Sequence, residues 1–501
     1  MVLTPQQILE EYKNKSIDEI AAADLLIHLI ENTNQIDVCI ESIGILKDIG
    51  YRSDKMYSYL ENLLISESDK RIRKAAANTL KDLYQERTLS PLKWSLEHEK
   101  SWQFLIDIVN LISQINSDDA RSILIDRIWK FEHHDFNIDL RKLFKSKEIQ
   151  EYPNENLAEI INNYLVINEI DTLLKETKYQ IEGGIVSELD LSFVTEQTNG
   201  WKILKNFPIF LTVLNKLKTL NLRSNKIVVL PATITSLAFL EYLDLSYNMI
   251  TQLPKDMGSL KSLEYLNLKH NELNEIPNSI GDLNNLKLLN LKLNKLAYLP
   301  PSMENLHRLE VLNLHGNQFN EIPITIMSLK SLKKLNLGLN DLKIVPEWLQ
   351  DLESLKILAL GGNKELSNLG DWIIFLPRRI EELDLYDNDI TALPKNINLL
   401  KSLRRLILPN NNLTSLPENF KELHELKLLD LSWNNLKNLP DWIDSFIALE
   451  SLNLRGNKIN SLPQSIFSLP NLRTLNLSLN KEIIHKPIIL DLEKKGIKVI
   501  K

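Results

Sequence analysis

The chain has 501 residues, 44% hydrophobic and 25% charged, with a formal net charge of −7. That length exceeds what one hydrophobic core ordinarily serves, and the composition excludes a mostly disordered chain, so several domains or a repeat array are expected. Residues 1–180 carry 22 Lys and Arg against 31 Asp and Glu, and the remainder carries 37 against 35, which leaves no basic excess for non-specific binding of nucleic acid. Cys39 is the one cysteine, so no intramolecular disulfide is available. No basic segment followed by an apolar stretch opens the chain, and no apolar run is long enough to span a bilayer. A cytoplasmic setting without membrane association is the expectation.

Residues 1–180 read as an all-α domain of apolar-periodic helices. Ser16 with Glu19 fits a capping box, Ser53 and Ser68 open further segments, and Ser90-Pro91 places a cap before a first-turn proline. A weak repeat runs through Val38, Leu46 and Ile49, then Ile72, Leu80 and Leu83, then Phe104, Ile112 and Ile115, with Phe136, Leu140 and Phe144 continuing it. Paired helices at this spacing, including the stretch from Asp69 to Ala76, resemble HEAT repeats; an irregular helical bundle is the alternative. His133-His134, with no cysteine nearby, reads as a surface pair in preference to a zinc site.

Residues 181–216 read as an N-terminal cap with a first strand at Ile185–Ser192, where Val194 replaces an expected Asn. From 217 to 482 the sequence repeats every 23 residues, beginning at Leu217, Leu240 and Leu263 and ending at Leu472, twelve units with a two-residue insertion between Leu355 and Ile380. Leu-x-Leu alternation sends apolar residues to one face of a short strand. One unit cannot bury that face alone, and stacking merges the units into one parallel sheet and one leucine core. An Asn follows each strand, from Asn225 to Asn480, where a buried amide would bond backbone groups at the turn and in the next coil. Ten units carry Pro from Pro231 to Pro463, which bars a ladder position and marks a return segment too short for more than 3₁₀ or brief helical turns. Residues 483–501 read as a C-terminal cap: a helix at Ile488–Lys495, Gly496 as its stop, and a closing strand at Ile497–Ile500.

This pattern resembles the intracellular leucine-rich-repeat class with 23-residue Leu-Pro units, similar to Ras-suppressor-type scaffolds. The resemblance implies an α/β leucine-rich-repeat solenoid, with a parallel sheet on its concave face and short 3₁₀ turns on its convex face. It implies a non-enzymatic protein-binding scaffold whose partner is a small Ras-like GTPase or a signalling enzyme. No cofactor is expected from the residues, and the sequence does not identify the oligomeric state.

Twelve strands about 4.8 Å apart make a concave face of roughly 55 Å, long enough for a folded protein. Residues alternating with the inward leucines are expected on it: Arg223, Tyr242, Tyr247, Tyr265, Lys269, His270, Lys292 and His315 in the first half, then Tyr386, Asp387, Trp433 and Arg455. Aromatics beside cations are the composition that anchors interfaces. The alternative is an ordinary solvated sheet surface, with Trp433 stacked on its neighbours. Glu381 and Glu382 should pair with Arg404 and Arg405 one strand over, leaving Asp384 and Asp387 for a partner. Ala359, Gly361 and Gly362 should clear side chains from mid-face, allowing close approach by a ligand backbone or a local change in curvature. No phosphate-binding loop, metal-ligand spacing or nucleophile elbow is present. An enzyme with an unrecognised site in the helical domain and a nucleic-acid-binding solenoid are the rival readings.

Overall fold

The computed structural model describes residues 3–131, 149, 151–174, 177–192, 204–368, 372–483 and 487–501. Two compact units divide the chain: Met1–Glu188 with Phe210–Leu214, and Leu189–Ile209 with Asn215–Lys501. His133-His134, Val194 and the Phe136, Leu140 and Phe144 series lie outside the described residues.

In the first unit, helices pair in chain order: Glu19–Asn32 with Ile36–Ile49, Asp54–Ser66 with Lys70–Tyr84, Leu89–His98 with Trp102–Ser113, and Asp118–Trp129 with Asn154–Leu173. The second members of these hairpins pack on one another in succession, from Ile36–Ile49 through Lys70–Tyr84 and Trp102–Ser113 to Asn154–Leu173. Equivalent side chains 33 residues apart bridge adjacent layers: Lys74 to Asp107 at 2.7 Å, Lys81 to Gln114 at 2.8 Å, and Lys130 to Glu97 at 3.1 Å. Leu46, Leu80 and Ile112, the repeat's shared apolar position, are each at most 1% exposed, so the period seen in sequence is the spacing of one layer. Caps fall elsewhere than expected at three helices. Asp18, not Ser16, accepts from the Ala21 amide, and Asp69, not Ser68, accepts from the Arg71 amide. Leu89–His98 begins before Ser90-Pro91, with no side-chain cap on Thr88. Ser53 caps Asp54–Ser66 through the Met56 amide, as its position implied. No helix among the described residues is long and apolar enough to cross a membrane.

The second unit is a leucine-rich-repeat solenoid. Its strands are three residues long, from Thr219–Asn221 to Thr474–Asn476, and each pairs in parallel with the next at a constant 23-residue register interrupted once, where Leu358 pairs with Leu383. The central residue of each strand, such as Leu243, Leu266 or Leu289, is fully buried. The return segments are 3₁₀ turns led by the repeat's proline, as at Ala232–Ser236 after Pro231 and Gln464–Ser468 after Pro463. Pro487–Lys494 is helical, and Lys498–Ile500 pairs in parallel with Thr474–Asn476.

The asparagine column is bonded into the preceding coil, not the next. Asn271 donates to the Leu268 carbonyl of its own repeat and the Leu245 carbonyl of the repeat before, each at 3.0 Å, and accepts from the Ile250 amide at 3.0 Å. The same three bonds recur at Asn294, Asn317, Asn340 and Asn457. A buried amide with every bond made into two layers ties them in register.

Candidate protein-binding face

Three columns run along the strands and their C-terminal ends, and each has a different physical origin. The first is the outward residue at the end of each strand, usually Asn or Asp. Its side-chain oxygen accepts from the backbone amide two residues on, as in Asn267 from Lys269 at 3.1 Å, Asn290 from Lys292 at 3.1 Å and Asp384 from Tyr386 at 3.1 Å. These turns end the strand after three residues. Asp384 is therefore occupied locally, and burial, foremost, pushes its carboxyl above the usual range. The column escaped the sequence reading, although its signal is the Asn between two leucines in runs such as Leu289-Asn290-Leu291.

The second column follows two residues later and holds Arg223, Lys269, Lys292, His315, Tyr386 and Arg455. The third comes next and has a left-handed backbone: φ is +57° at Tyr247, +56° at His270, +51° at Asp387 and +55° at Trp433. These four were expected to alternate with the leucines on the strand. They instead occupy the turn after it, and the side chains of Tyr247, Asp387 and Trp433 reach the same column in the next repeat. Tyr247 stacks on His270 with centroids 5.0 Å apart, Asp387 accepts from Asn410 at 2.6 Å, and the Trp433 ring lies over Gly456. A Cβ on Gly456 would come within 2.8 Å of that ring, and its own φ of +67° also calls for glycine.

Of the expected site residues, the first eight converge on five adjacent repeats. Tyr242 and Tyr265 stack at 4.2 Å, and burial, then the neighbouring Tyr265, pushes the Tyr242 hydroxyl pKa up. The Arg223 guanidinium lies 4.9 Å and the Lys269 ammonium 4.8 Å from the Tyr247 ring centre. Hydrogen bonding from Lys269 is the main cause that lowers the Tyr247 pKa. Lys292 lies in the next repeat and His315 in the one after. The remaining four stand apart. Tyr386 is four strands beyond Lys292, about 19 Å, and Trp433 six strands, about 29 Å. Arg455 lies 5.8 Å from the Trp433 ring, which is 51% exposed.

Mid-face, the glycines are not cleared ground. A Cβ on Gly361 would fall 2.0 Å from the Tyr386 ring, and one on Gly362 would fall 2.5 Å from Leu339, so neighbouring side chains fill the space left for a ligand backbone. The charged cluster pairs as the ladder spacing implied: Arg405 to Glu382 at 3.0 Å and Arg404 to Glu381 at 3.7 Å.

Burial foremost, then like charge from Lys292, lowers the His315 imidazole to about 4. The unfolded chain, with its imidazole near 6.5, holds more protons between these values. Stability from this group is therefore complete above the unfolded value and lost as pH falls toward the folded one. His315→Gln is expected to shrink the fall in urea midpoint between about pH 7 and about pH 4.5. An unchanged fall would show that His315 does not titrate as its surroundings dictate.

A family profile described as "Leucine rich repeat" matches residues 215–273, 378–436 and 439–486, and a second of that description matches 308–329. No curated protein matches the chain. Among solved structures, it is similar to a leucine-rich-repeat protein of Leptospira interrogans at 31% identity, over 63% of this chain and 90% of that one, with a TM-score of 0.46. It is also similar to an internalin of Listeria monocytogenes at 22% identity, over 67% of this chain and 94% of that one, with a TM-score of 0.51. The array at residues 217–482 is thus built of leucine-rich repeats.

Proposed function

We propose that the chain is a non-enzymatic scaffold that holds a folded protein on its concave sheet, the helical unit being a HEAT-like stack available to a second partner. Proteins built on leucine-rich repeats commonly mediate protein–protein interaction. The observation that carries the reading is the exposed Trp433 indole held at positive φ over Gly456. A large aromatic residue there carries backbone strain while leaving half of its surface in solvent, which is a poor choice for folding alone. The cation and aromatic group around Tyr247 supports it independently. The resemblance to Ras-suppressor-type scaffolds makes a small Ras-like GTPase the first partner class to test, in a cytoplasmic setting.

The test compares capture from the native source by the parent chain and by a Tyr247→Ala, His270→Ala, Trp433→Ala variant, with partners identified by mass spectrometry. Loss of a buried aromatic anchor costs about 2 kcal/mol or more, so at least one partner should weaken about 30-fold. Equal recovery of every partner would remove these residues from the site.

A further inference from the structure

The charges on this sheet follow two rules. At the N-terminal ends of the strands, opposite charges are paired across repeats: Lys287 with Glu264 at 2.7 Å, Lys333 with Glu310 at 2.8 Å, and Lys356 with Glu381 at 2.8 Å. At the C-terminal ends, Lys269 and Lys292 stand in adjacent repeats, and no carboxylate figures among the groups that perturb Lys292. Burial and the like charge of Lys269 lower its pKa, and only the Tyr247 hydroxyl opposes them. The nearby Asp244 is committed elsewhere, accepting from the Ser246 amide at 2.8 Å and from Asn267 at 3.0 Å. Arg223, His270 and His315 line the same stretch of the sheet, the His315 imidazole being held uncharged by burial and by Lys292.

Lys269 and Lys292 repel each other in the free protein. Folding does not require the pair, because the same column holds Ser246, Gly338, Ser432 and Ser478 in other repeats. An anion placed across it would remove the repulsion, and the positions share one line along the sheet. From Arg223 to His315 that line crosses four strand spacings, about 19 Å, the length of roughly six extended residues.

We infer that the first five repeats bind a carboxylate-rich segment of the partner protein, about six residues long, lying across the strand ends with its acidic side chains at Lys269 and Lys292 and beside the Tyr247–His270 stack. This rests on the concave-docking reading and names the chemistry of what docks.

The test titrates the full chain with hexaglutamate, hexaglutamine, inorganic phosphate and a thymidine hexanucleotide at low ionic strength, by calorimetry and by the His315 imidazole proton signal. Hexaglutamate should bind most tightly, weaken with added salt, and raise the His315 pKa by offsetting the charges that face it, Lys292 and Lys269. Lys269→Glu with Lys292→Glu should weaken it at least tenfold and the corresponding Gln pair by less. Lys458→Glu with Lys343→Glu, the same change in net charge elsewhere, should leave it unchanged. Absence of hexaglutamate binding, equal binding of phosphate, tighter binding of the oligonucleotide, or equal weakening by the distant pair would each overturn the inference. If the charge-reversed protein still captures its partner while the Trp433→Ala protein loses it, the acidic segment fails and concave docking stands.

Discussion

Asn294→Ala is expected to destabilise the repeat array by about 3 kcal/mol, because three bonds into two layers disappear at a buried site. Asn294 donates to the Leu268 and Leu291 carbonyls at 3.0 Å each and accepts from the Leu273 amide at 3.1 Å. It is 8% exposed, so the Leu273 amide is left buried and unpaired. Asn294→Asp tests the cause, since it keeps the shape and the acceptor but turns a carboxylate toward two carbonyl oxygens. Its loss should be at least as large. Urea unfolding followed by circular dichroism reads both, and a loss below about 1 kcal/mol for either variant would show that the column is not what ties the layers.

Phe420→Ala is expected to cost about 3 to 5 kcal/mol, the largest effect of any single truncation considered for this chain. Phe420 fills the convex position that Ile280, Ile326 and Ile397 fill in other repeats, and it is fully buried with its ring edge-on to Phe446 at 5.2 Å. The cavity cannot close, because the backbones on both sides are held by the asparagine column and the sheet. In a linear array the damage stays local: each repeat touches only its neighbours, so amides of the repeats beginning at Ile380, Leu403 and Leu426 should exchange with solvent sooner while those near Leu263 do not. Phe420→Leu should recover more than half the loss. Uniform faster exchange along the whole array would mean that the repeats unfold as one body.

The fold was legible because stacking requires the same residue at the same place in every layer. Leu243, Leu266 and Leu289 differ in nothing but register, and a requirement repeated twelve times is visible without coordinates. The asparagine ladder was legible for the same reason, though its direction was not: an amide beside a turn gives no sign of whether the coil before or after it supplies the carbonyl. Helix starts in the first unit were harder, since Ser16 and Asp18, or Ser68 and Asp69, are both good caps two or fewer residues apart, and tertiary packing selects between them.

The candidate face was legible as a set of positions but not as a surface. Tyr247, His270 and Trp433 look like strand residues until the backbone turns left-handed beneath them, and the clue was the glycine at Gly316, Gly362 and Gly456 in the same column. Gly361 looked like open space because the sequence cannot show that Tyr386, 25 residues later, lies across it. Exposed charge pairs such as Glu382 with Arg405 contribute only about 0 to 1 kcal/mol, so their matching reflects compatibility of neighbours more than stability.

Hydrogen exchange of the chain with and without its captured partner tests the docking platform most directly. The account predicts slower exchange in the strand and turn segments from Thr219 to His315 and around Trp433, with the 3₁₀ return segments unchanged. Protection confined to those return segments, or to the helical unit alone, would contradict it.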